Sequence, residues 1–390
     1  MNEQTLQQLN GLQPRTEEAR FSRHQLAAVI YRQRQLAARQ ARVLRPLSAL
    51  YRYGLQPLRG QGRHWRRLLD NLRLQLRPRL NAGVQELRQR LPGQRPSWQR
   101  QRPPAGSTSS TAAEPITRLA VGLLTYNNQP AQLQSCLHAL EQAILSLGAQ
   151  CRVQVLVLDN GNSSADALAE WPWLVRLKPA GNVGFGAGHN RLMNQAFKAG
   201  AQAYVAMNPD GRAHPRLLQA LLECSQRCGG EALVEALQFP CEHPKPFDPE
   251  QGDTPWASGA CLLLPERIHH RIGGFDDTFF MYCEDVDLSW RARAAGFRVV
   301  TAPEALFLHQ VSNRPANPGG HALMLAAGVQ LARKWRRPGF AAAAQVKLQL
   351  LGAVAAALPE QTRAKPQPVP RRDRWAASFE HAFYFARPRW

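Results

Sequence analysis

The stretch FFMYCEDVDLSW places three carboxylates, Glu284, Asp285 and Asp287, behind a run of apolar and aromatic residues. Apolar neighbours raise the proton affinity of a carboxyl group and a second acid raises it further, so such a group can exchange a proton near neutral pH. A simpler interpretation is helix-start electrostatics. The residues that follow predict a helix closed by Gly296, and the helix dipole stabilises acids in a first turn. The local sequence leaves both interpretations open.

The elements that must position such a site are predicted by the middle of the chain, where apolar strand-like runs alternate with amphipathic helical segments. This alternation predicts an α/β fold with a mostly parallel sheet, in which ligands bind at the carboxyl ends of the strands. Each polar cluster at a strand end alone has the composition of a turn. Their joint occurrence favours a ligand-binding edge, since clusters follow three predicted strands: Thr125 to Asn128, Asp159 with Asn160, and Asn208 to Asp210.

The glycine-rich segment GNVGFGAGHN precedes a predicted helix, a place where backbone amides often hold phosphate. His189 stands where the dinucleotide-binding fingerprint needs its last glycine, and the segment follows the second predicted strand rather than the first. A nicotinamide-dependent dehydrogenase is therefore disfavoured. The glycines could still let the chain approach a nucleotide or a sugar.

Positive charge is concentrated at the start of the chain. Residues 1–115 hold 21 arginines, no lysine and six acidic residues, and so carry +15 of the formal net charge of +21. Their basic amphipathic pattern predicts helices that could lie on anionic lipid, dock on a partner, contact nucleic acid or remain a solvated hairpin. The sequence separates these poorly, although nucleic acid is less favoured than an anionic membrane surface contacted through residues 1–100.

Composition divides the 390 residues into four predicted parts. They are a basic, Arg-rich helical region (1–101), a flexible linker (102–116), the α/β domain (117–315) and a C-terminal helical extension and tail (316–390), whose helices could pack on the domain or rest on lipid. The seven scattered cysteines favour a reducing compartment. The chain shows neither a signal peptide pattern nor 18 uninterrupted apolar residues, so we expect a cytoplasmic protein that does not span a membrane.

The chain resembles the inverting, GT-A-fold family 2 glycosyltransferases, and most of all their rhamnosyltransferase-type members. The resemblance runs from about residue 117 to 313, and its motifs occur in the order of the family: TYNN, VLDNGNSS, GNVGFGAGHN, MNPDG, ASGACLLLPE, GGFDDTFFMYCEDVDLSWRARAAGF and FLH. It implies a GT-A (nucleotide-diphospho-sugar transferase, Rossmann-like) domain between the basic N-terminal helical region and the C-terminal helices.

The resemblance also implies a donor site and a divalent cation, Mg²⁺ or Mn²⁺. The Asp-x-Asp metal motif of the family reads Asn208, Pro209, Asp210 here, which leaves Asp210 as the main carboxylate for a hard cation. His309 stands where some members have a histidine that helps hold the metal, although it could equally be a structural histidine. The residues implied to hold the donor nucleotide are Thr125, Tyr126, Asn127, Asp159, Asn182, Gly184 and Asn190.

The resemblance further implies that the acid pair Glu284, Asp285 lies at the sugar-transfer site, with Asp285 as the base. A carboxylate within hydrogen-bond reach takes the proton of an acceptor hydroxyl as it attacks the anomeric carbon. Glu284 is then expected to position acceptor hydroxyls, while Asp287 can form an i,i+4 pair with Arg291. The residues expected to line the acceptor or donor-sugar side are Trp256, Ser258 and Gly259, although Trp256 could instead belong to the core.

The function expected from the resemblance is inverting transfer of a sugar, with rhamnose a candidate, from a nucleoside-diphosphate donor to a hydroxyl. The acceptor would be a glycan or a lipid-linked glycan of cell-surface polysaccharide synthesis, at the inner face of the cytoplasmic membrane. One alternative is an inactive GT-A-like scaffold whose basic N-terminal helices bind lipid, a partner or nucleic acid, as the altered metal motif could suggest. Another is a nucleic-acid-associated protein, which would bind RNA with steep salt dependence.

Overall fold

A computed structural model of the chain describes residues 114–161, 168, 171–178, 181–240, 245, 247–248, 251–309, 318–350 and 366–375. The predicted Arg-rich region 1–101 and most of the predicted linker lie outside the described residues. The boundaries of the four predicted parts therefore stay predictions.

The described residues form one eight-stranded sheet with the strand order β3-β2-β1-β4-β7-β6-β8-β5. Six strands run in the same direction, while β7 is antiparallel to β4 and β6, and β5 is antiparallel to β8. This mixed α/β sheet confirms the predicted fold class. The strands are β1 (Arg118–Thr125), β2 (Arg152–Asp159), β3 (Leu174–Leu177), β4 (Ala203–Met207), β5 (Arg212–Ala213), β6 (Ala232–Phe239), β7 (Cys261–Pro265) and β8 (Arg298–Leu308).

Helices cover both faces of the sheet, so its inner strands are apolar on both sides. Helices α1 and α3 pack on one face with Val155 and Val157. Helices α2, α4 and α5 pack on the opposite face with Leu156 and Leu158. The helices of the described residues are α1 (Pro130–Leu147), α2 (Phe185–Lys198), α3 (Leu217–Arg227), α4 (Glu266–Ile272), α5 (Glu284–Ala294), α6 (Pro318–Lys334) and α7 (Pro338–Leu350).

The C-terminal extension packs on the α/β domain, which was one of the two possibilities left open by its sequence. Helix α6 and residue Trp335 join a third apolar cluster with Trp256, Phe279 and Trp290, next to α5. The rings of Trp290 and Trp335 meet edge to face at a centroid distance of 5.5 Å. Within the described residues, every helix is too short or too polar to cross a membrane.

Two features of the fold differ from the sequence predictions. Helix α2 begins at Phe185, five residues before the helix predicted from Asn190, so six of the ten residues of the glycine-rich segment are helical rather than in a loop. Strands β6 and β7 lie in a region for which no strand is predicted above. Their apolar runs are buried on both sides, and such runs do not alternate between polar and apolar residues.

Candidate functional site

The candidate site lies at the edge where the parallel strands end. Strands β1 and β2 end at Thr125 and Asp159, which are neighbours in the register of the sheet. Asp210 follows β4, and His309 follows β8. Since β7 runs in the opposite direction, its first residues, next to Gly259, come to the same edge. The topology therefore brings together residues that are far apart in sequence.

At the β1–β2 corner, the Asp159 carboxylate is fixed by two hydrogen bonds to Oδ1. The buried Thr125 hydroxyl donates one at 2.9 Å, and the Gly161 amide donates the other at 2.9 Å. Tyr126 is 53 % exposed beside them, and Asn127 adopts a positive φ of 49°. Hydrogen bonds thus fix the orientation of the Asp159 carboxylate, and the exposed Tyr126 ring directly follows Thr125 in the chain. A polar group and an aromatic ring together suit the binding of a polar, ring-bearing ligand.

Asn160, which belongs to the second polar cluster but not to the predicted nucleotide-binding residues, ties the glycine-rich segment to this corner. Its buried side-chain amide donates to the Gly184 carbonyl at 3.0 Å, while the Asn182 side chain accepts from the Gly184 amide at 3.1 Å. Gly184 has a φ of +87°, and a Cβ there would lie 2.3 Å from the Phe280 carbonyl oxygen. Close packing against the chain before α5 thus accounts for this glycine.

Asn190 holds the same neighbouring segment from α2. Its side chain donates to the Phe275 carbonyl and accepts from the Phe275 amide, both at 2.9 Å, and it also donates to Asp277. Its two donor hydrogens and its oxygen thus contact protein. The structure therefore gives Asn190 an anchoring position, which differs from the nucleotide contact implied by the resemblance.

Asp210 and His309 meet at the metal motif. The Asp210 Oδ1 lies 3.1 Å from the His309 Nε2, and the opposite ring nitrogen of His309 lies 3.1 Å from the Gln238 side-chain oxygen. Two ligands of one octahedral cation at about 2.1 Å lie roughly 3 Å apart, so this pair fits a shared divalent ion. Gln238 would orient the imidazole from behind. It is a residue that no motif indicated.

Asn208, the first residue of the motif, is held through its backbone. Its backbone carbonyl accepts from the Gly211 amide, and its backbone amide donates to the Ala260 carbonyl at 2.8 Å. No group of three or more His, Cys, Asp or Glu side chains that could hold a metal occurs in the described part of the chain. Among the described residues, Asp210 and His309 could offer one carboxylate and one imidazole, and a cation bound by them could take further ligands from water or a phosphate.

Asp285 lies in the first turn of α5. This helix begins directly after two residues with positive φ, Tyr282 (71°) and Cys283 (67°). Such backbone conformations are costly in non-glycine residues and are concentrated at functional sites. The Gly259 amide donates to Oδ2 at 2.9 Å and the Val286 amide donates to Oδ1 at 2.8 Å. Burial outweighs these bonds and raises the pKa of Asp285 to about 6.

Glu284 is buried beside Asp285, only 5 % exposed. Burial first, and then the charge of Asp285, raise the pKa of Glu284 well above its usual value. Its Oε2 has no hydrogen-bond partner among the described residues. The acid pair therefore combines a carboxyl group whose burial favours its neutral form with one whose pKa is about 6, an arrangement suited to acid–base chemistry.

The predicted sugar-side residues divide into two groups. The amides of Ser258 and Gly259 donate to the carboxylates of Glu235 and Asp285 respectively, so this turn lies in the wall of the site. Trp256 is only 6 % exposed and belongs to the apolar cluster with Phe279. The structure supports the core interpretation of Trp256, because a ring covered by other side chains has little surface to offer a sugar.

The third acid of the opening motif is structural, as predicted. Asp287 is fully buried and accepts from the Arg291 guanidinium at 2.7 Å. It also pairs with the Lys334 ammonium at 2.8 Å and accepts from the Trp335 indole at 2.9 Å. Helix α6 thus fixes the helix that carries Asp285.

Glu235 and Lys245 are charged residues near the site that sequence reasoning missed. They form a buried ion pair, with Glu235 3 % and Lys245 5 % exposed. The only signal for Glu235 is a single acid within the apolar run ALVEALQF of β6. A charge in such a strand needs a partner, but the sequence does not reveal that the partner is ten residues further on.

Comparison with known proteins gives two rhamnosyltransferases among the relatives. The chain is 29 % identical over 227 residues to N-acetylglucosaminyl-diphospho-decaprenol L-rhamnosyltransferase of Mycobacterium tuberculosis, a match that covers 46 % of this chain and 74 % of that protein. It is 39 % identical over 54 residues to rhamnosyltransferase WbbL of Escherichia coli K12, which covers 14 % of this chain and 20 % of that protein. No family model matches the chain.

Among solved structures, the chain is similar to the mannosyltransferase PcManGT from Pyrobaculum calidifontis, a complex with GDP-Man and Mn²⁺. The TM-score is 0.45 at 17 % sequence identity, and the match covers 63 % of this chain and 74 % of that one. The relatives, the motif order and the site at the carboxyl edge of the sheet agree with one another. The sequence relatives support a glycosyltransferase similar to the family 2 rhamnosyltransferases.

Proposed function

We propose that this enzyme transfers a sugar, with rhamnose as the first candidate, from a nucleoside-diphosphate donor to a hydroxyl of a lipid-linked glycan, inverting the anomeric centre. The proposed process is cell-surface polysaccharide synthesis. The similarity to a decaprenol-linked rhamnosyltransferase supports the substrate class. The observation that carries the reaction type is Asp285, a carboxylate with a pKa of about 6 held by two backbone amides at the ligand-binding edge.

Asp285 is proposed as the base. Near pH 7 it is mostly ionised, so it can accept the proton of an acceptor hydroxyl while the new glycosidic bond forms. Each of its oxygens accepts one backbone N–H in the described structure, and a carboxylate has about four lone-pair sites. The amides thus fix its orientation and leave acceptor capacity for a hydroxyl. Glu284 is proposed to position the acceptor by hydrogen bonding.

Asp210 and His309 are proposed to hold a divalent cation, with Asn208 beside them. A bound cation would stabilise the negative charge of the diphosphate leaving group. Thr125, Tyr126, Asn127, Asp159, Asn182 and Gly184 are proposed to surround the nucleotide, and the fixed Asp159 carboxylate would accept hydrogen bonds from ribose hydroxyls. Asn190 would act indirectly: it would anchor the segment that faces Gly184 and make no contact with the nucleotide itself.

The enzyme is further proposed to work at the inner face of the cytoplasmic membrane, recruited by residues 1–100. Arginines near an anionic surface contribute on the order of 1 kcal/mol each, so a few engaged side chains would give appreciable binding. Co-sedimentation with anionic and neutral liposomes, at low and high salt, compares the full chain with one that begins at Glu114. Equal pelleting of the two chains, or pelleting indifferent to anionic lipid, would contradict the recruitment.

The substrate proposal is tested by a transfer assay. The purified chain is incubated with a panel of nucleoside-diphosphate sugars, including dTDP-rhamnose, and a polyprenyl-diphospho-N-acetylglucosamine acceptor, with Mn²⁺ or with EDTA. We expect one donor to be used preferentially, an NMR-defined product of inverted configuration, and loss of transfer in EDTA. A chain that binds donors but transfers none of them to any acceptor would instead favour the scaffold alternative.

A further inference from the structure

Two successive backbone amides connect Asp285 to a second carboxylate. The Ser258 amide donates to the Glu235 Oε2 at 2.5 Å, and the next amide, that of Gly259, donates to the Asp285 Oδ2 at 2.9 Å. The Ser258–Gly259 turn is therefore held between two acids, one in the middle of β6 and one at the start of α5. A shift of Glu235 would move the amide that orients Asp285.

Glu235 is itself held by a buried network. Its Oε1 pairs with the Lys245 ammonium and accepts from the Thr301 hydroxyl. Lys245 also donates to the Thr254 hydroxyl at 3.0 Å, and its ammonium lies 5.2 Å from the centre of the Trp256 ring. A buried ion pair is weak evidence for a stabilising role, because the desolvation of two charges offsets most of their attraction. Its presence behind the turn therefore suggests another role.

We propose that Glu235 and Lys245 are positioning residues for Asp285: Glu235 holds the Ser258–Gly259 turn, and the ion pair sets the electrostatic field in which Asp285 ionises. This inference rests on the proposed function, in which Asp285 is the base. It assigns a role to a charged pair that lies outside every sequence motif of the site, and it gives buried Trp256 a part in holding Lys245.

The charged and titratable groups that act on Asp285 are few in the described residues. Cys283 directly precedes its helix and Glu284 lies on that helix, while Glu235 and Lys245 act from the β6 side. The negative charge of Glu235 disfavours the ionised form of Asp285, whereas the positive charge of Lys245 favours it. The two effects oppose each other, so removing either partner should shift the ionisation of Asp285 in a direction that its charge predicts.

The test is the pH dependence of kcat/KM for sugar transfer. Glu235→Gln keeps an oxygen for the Ser258 amide but removes the negative charge, so the acidic limb should move to lower pH. Lys245→Met removes the positive charge that favours the ionised form of Asp285, so the limb should move to higher pH. We expect shifts of about half a unit or more. The double variant should return near the parent limb.

The matched control is Arg298→Met. It breaks a different ion pair, the partly buried pair of Arg298 with Asp253 at 3.0 Å. Its acidic limb should not move. Thermal unfolding of each variant shows whether it is folded, and Lys245→Gln, which can still hydrogen-bond Glu235, replaces Lys245→Met if that variant fails to fold. Limbs that stay at the parent pH in both charge variants, or that move in the same direction, would overturn the inference. Absence of transfer by the parent chain would instead overturn the proposed function.

Discussion

The Asp210 Oδ1 lies 3.1 Å from the His309 Nε2, although the two residues are 99 positions apart in the chain. Strand β4 delivers the first and β8 the second to the same edge of the sheet, and Gln238 at the end of β6 lies behind the imidazole. In the proposed cation site, this pair would supply one carboxylate and one imidazole where an Asp-x-Asp motif supplies two carboxylates.

Loss of either ligand should therefore raise the cation concentration needed for activity. For Asp210→Ala and His309→Gln we expect an increase of tenfold or more in the Mn²⁺ concentration at half-maximal transfer, with weaker donor binding. His270→Gln, at an exposed histidine of α4, is the control and should titrate like the parent. A parent-like Mn²⁺ titration of both ligand variants would mean that the cation is held elsewhere.

Gly184 should tolerate no side chain, because a Cβ would meet the Phe280 carbonyl oxygen and the residue needs a positive φ. We expect Gly184→Ala to destabilise the fold by roughly 1–3 kcal/mol and to reduce transfer. Gly339→Ala is the control, since a Cβ there meets nothing within 4 Å and alanine favours helix α7. Chemical denaturation measures both variants. A Gly184→Ala variant as stable as the parent would show that this contact is unimportant.

Lys334 lies between two buried carboxylates, at 2.5 Å from Asp276 and 2.8 Å from Asp287. Its removal leaves both acids buried without their shared cation, and such losses cost about 3–5 kcal/mol. We expect Lys334→Met to lower the free energy of unfolding by that order. The exposed Lys347→Met provides the comparison and should change it little. If Lys334→Met lowered the free energy of unfolding by less than about 1 kcal/mol, the ion pairs between α6 and α5 would contribute little to stability.

The sequence predicts the strand ends well, because apolar runs followed by polar residues mark both the strands and the ligand-binding edge. Thr125 and Asp159 are found together as neighbours in register. The roles of Asn190 and Gly184 could not be predicted, since motif position does not show whether a side chain contacts a ligand or the chain across the site. The Glu235–Lys245 pair could not be predicted for a similar reason, because a single acid in an apolar strand does not indicate which basic residue pairs with it.

The rate of sugar transfer should fall at acidic pH as Asp285 becomes protonated. Its pKa of about 6 lies above that of an ordinary aspartate, and only the ionised form accepts a proton. We therefore expect kcat/KM to be nearly constant above about pH 7 and to fall about tenfold per pH unit well below 6. A profile measured with saturating metal between pH 4.5 and 9 tests this. A limb near pH 4 would show that burial does not raise this pKa.

The role of Asp285 as the base is tested by a comparison of sugar transfer and donor binding in Asp285→Asn. Asparagine has nearly the same shape but cannot accept the acceptor proton, so we expect transfer to fall at least 100-fold. Donor affinity by calorimetry should stay within about twofold, because the proposed nucleotide and metal sites use other residues. Asp373→Asn, at an exposed acid of the tail, should behave like the parent. An Asp285→Asn enzyme that transfers sugar at a near-parental rate would show that Asp285 is not the base.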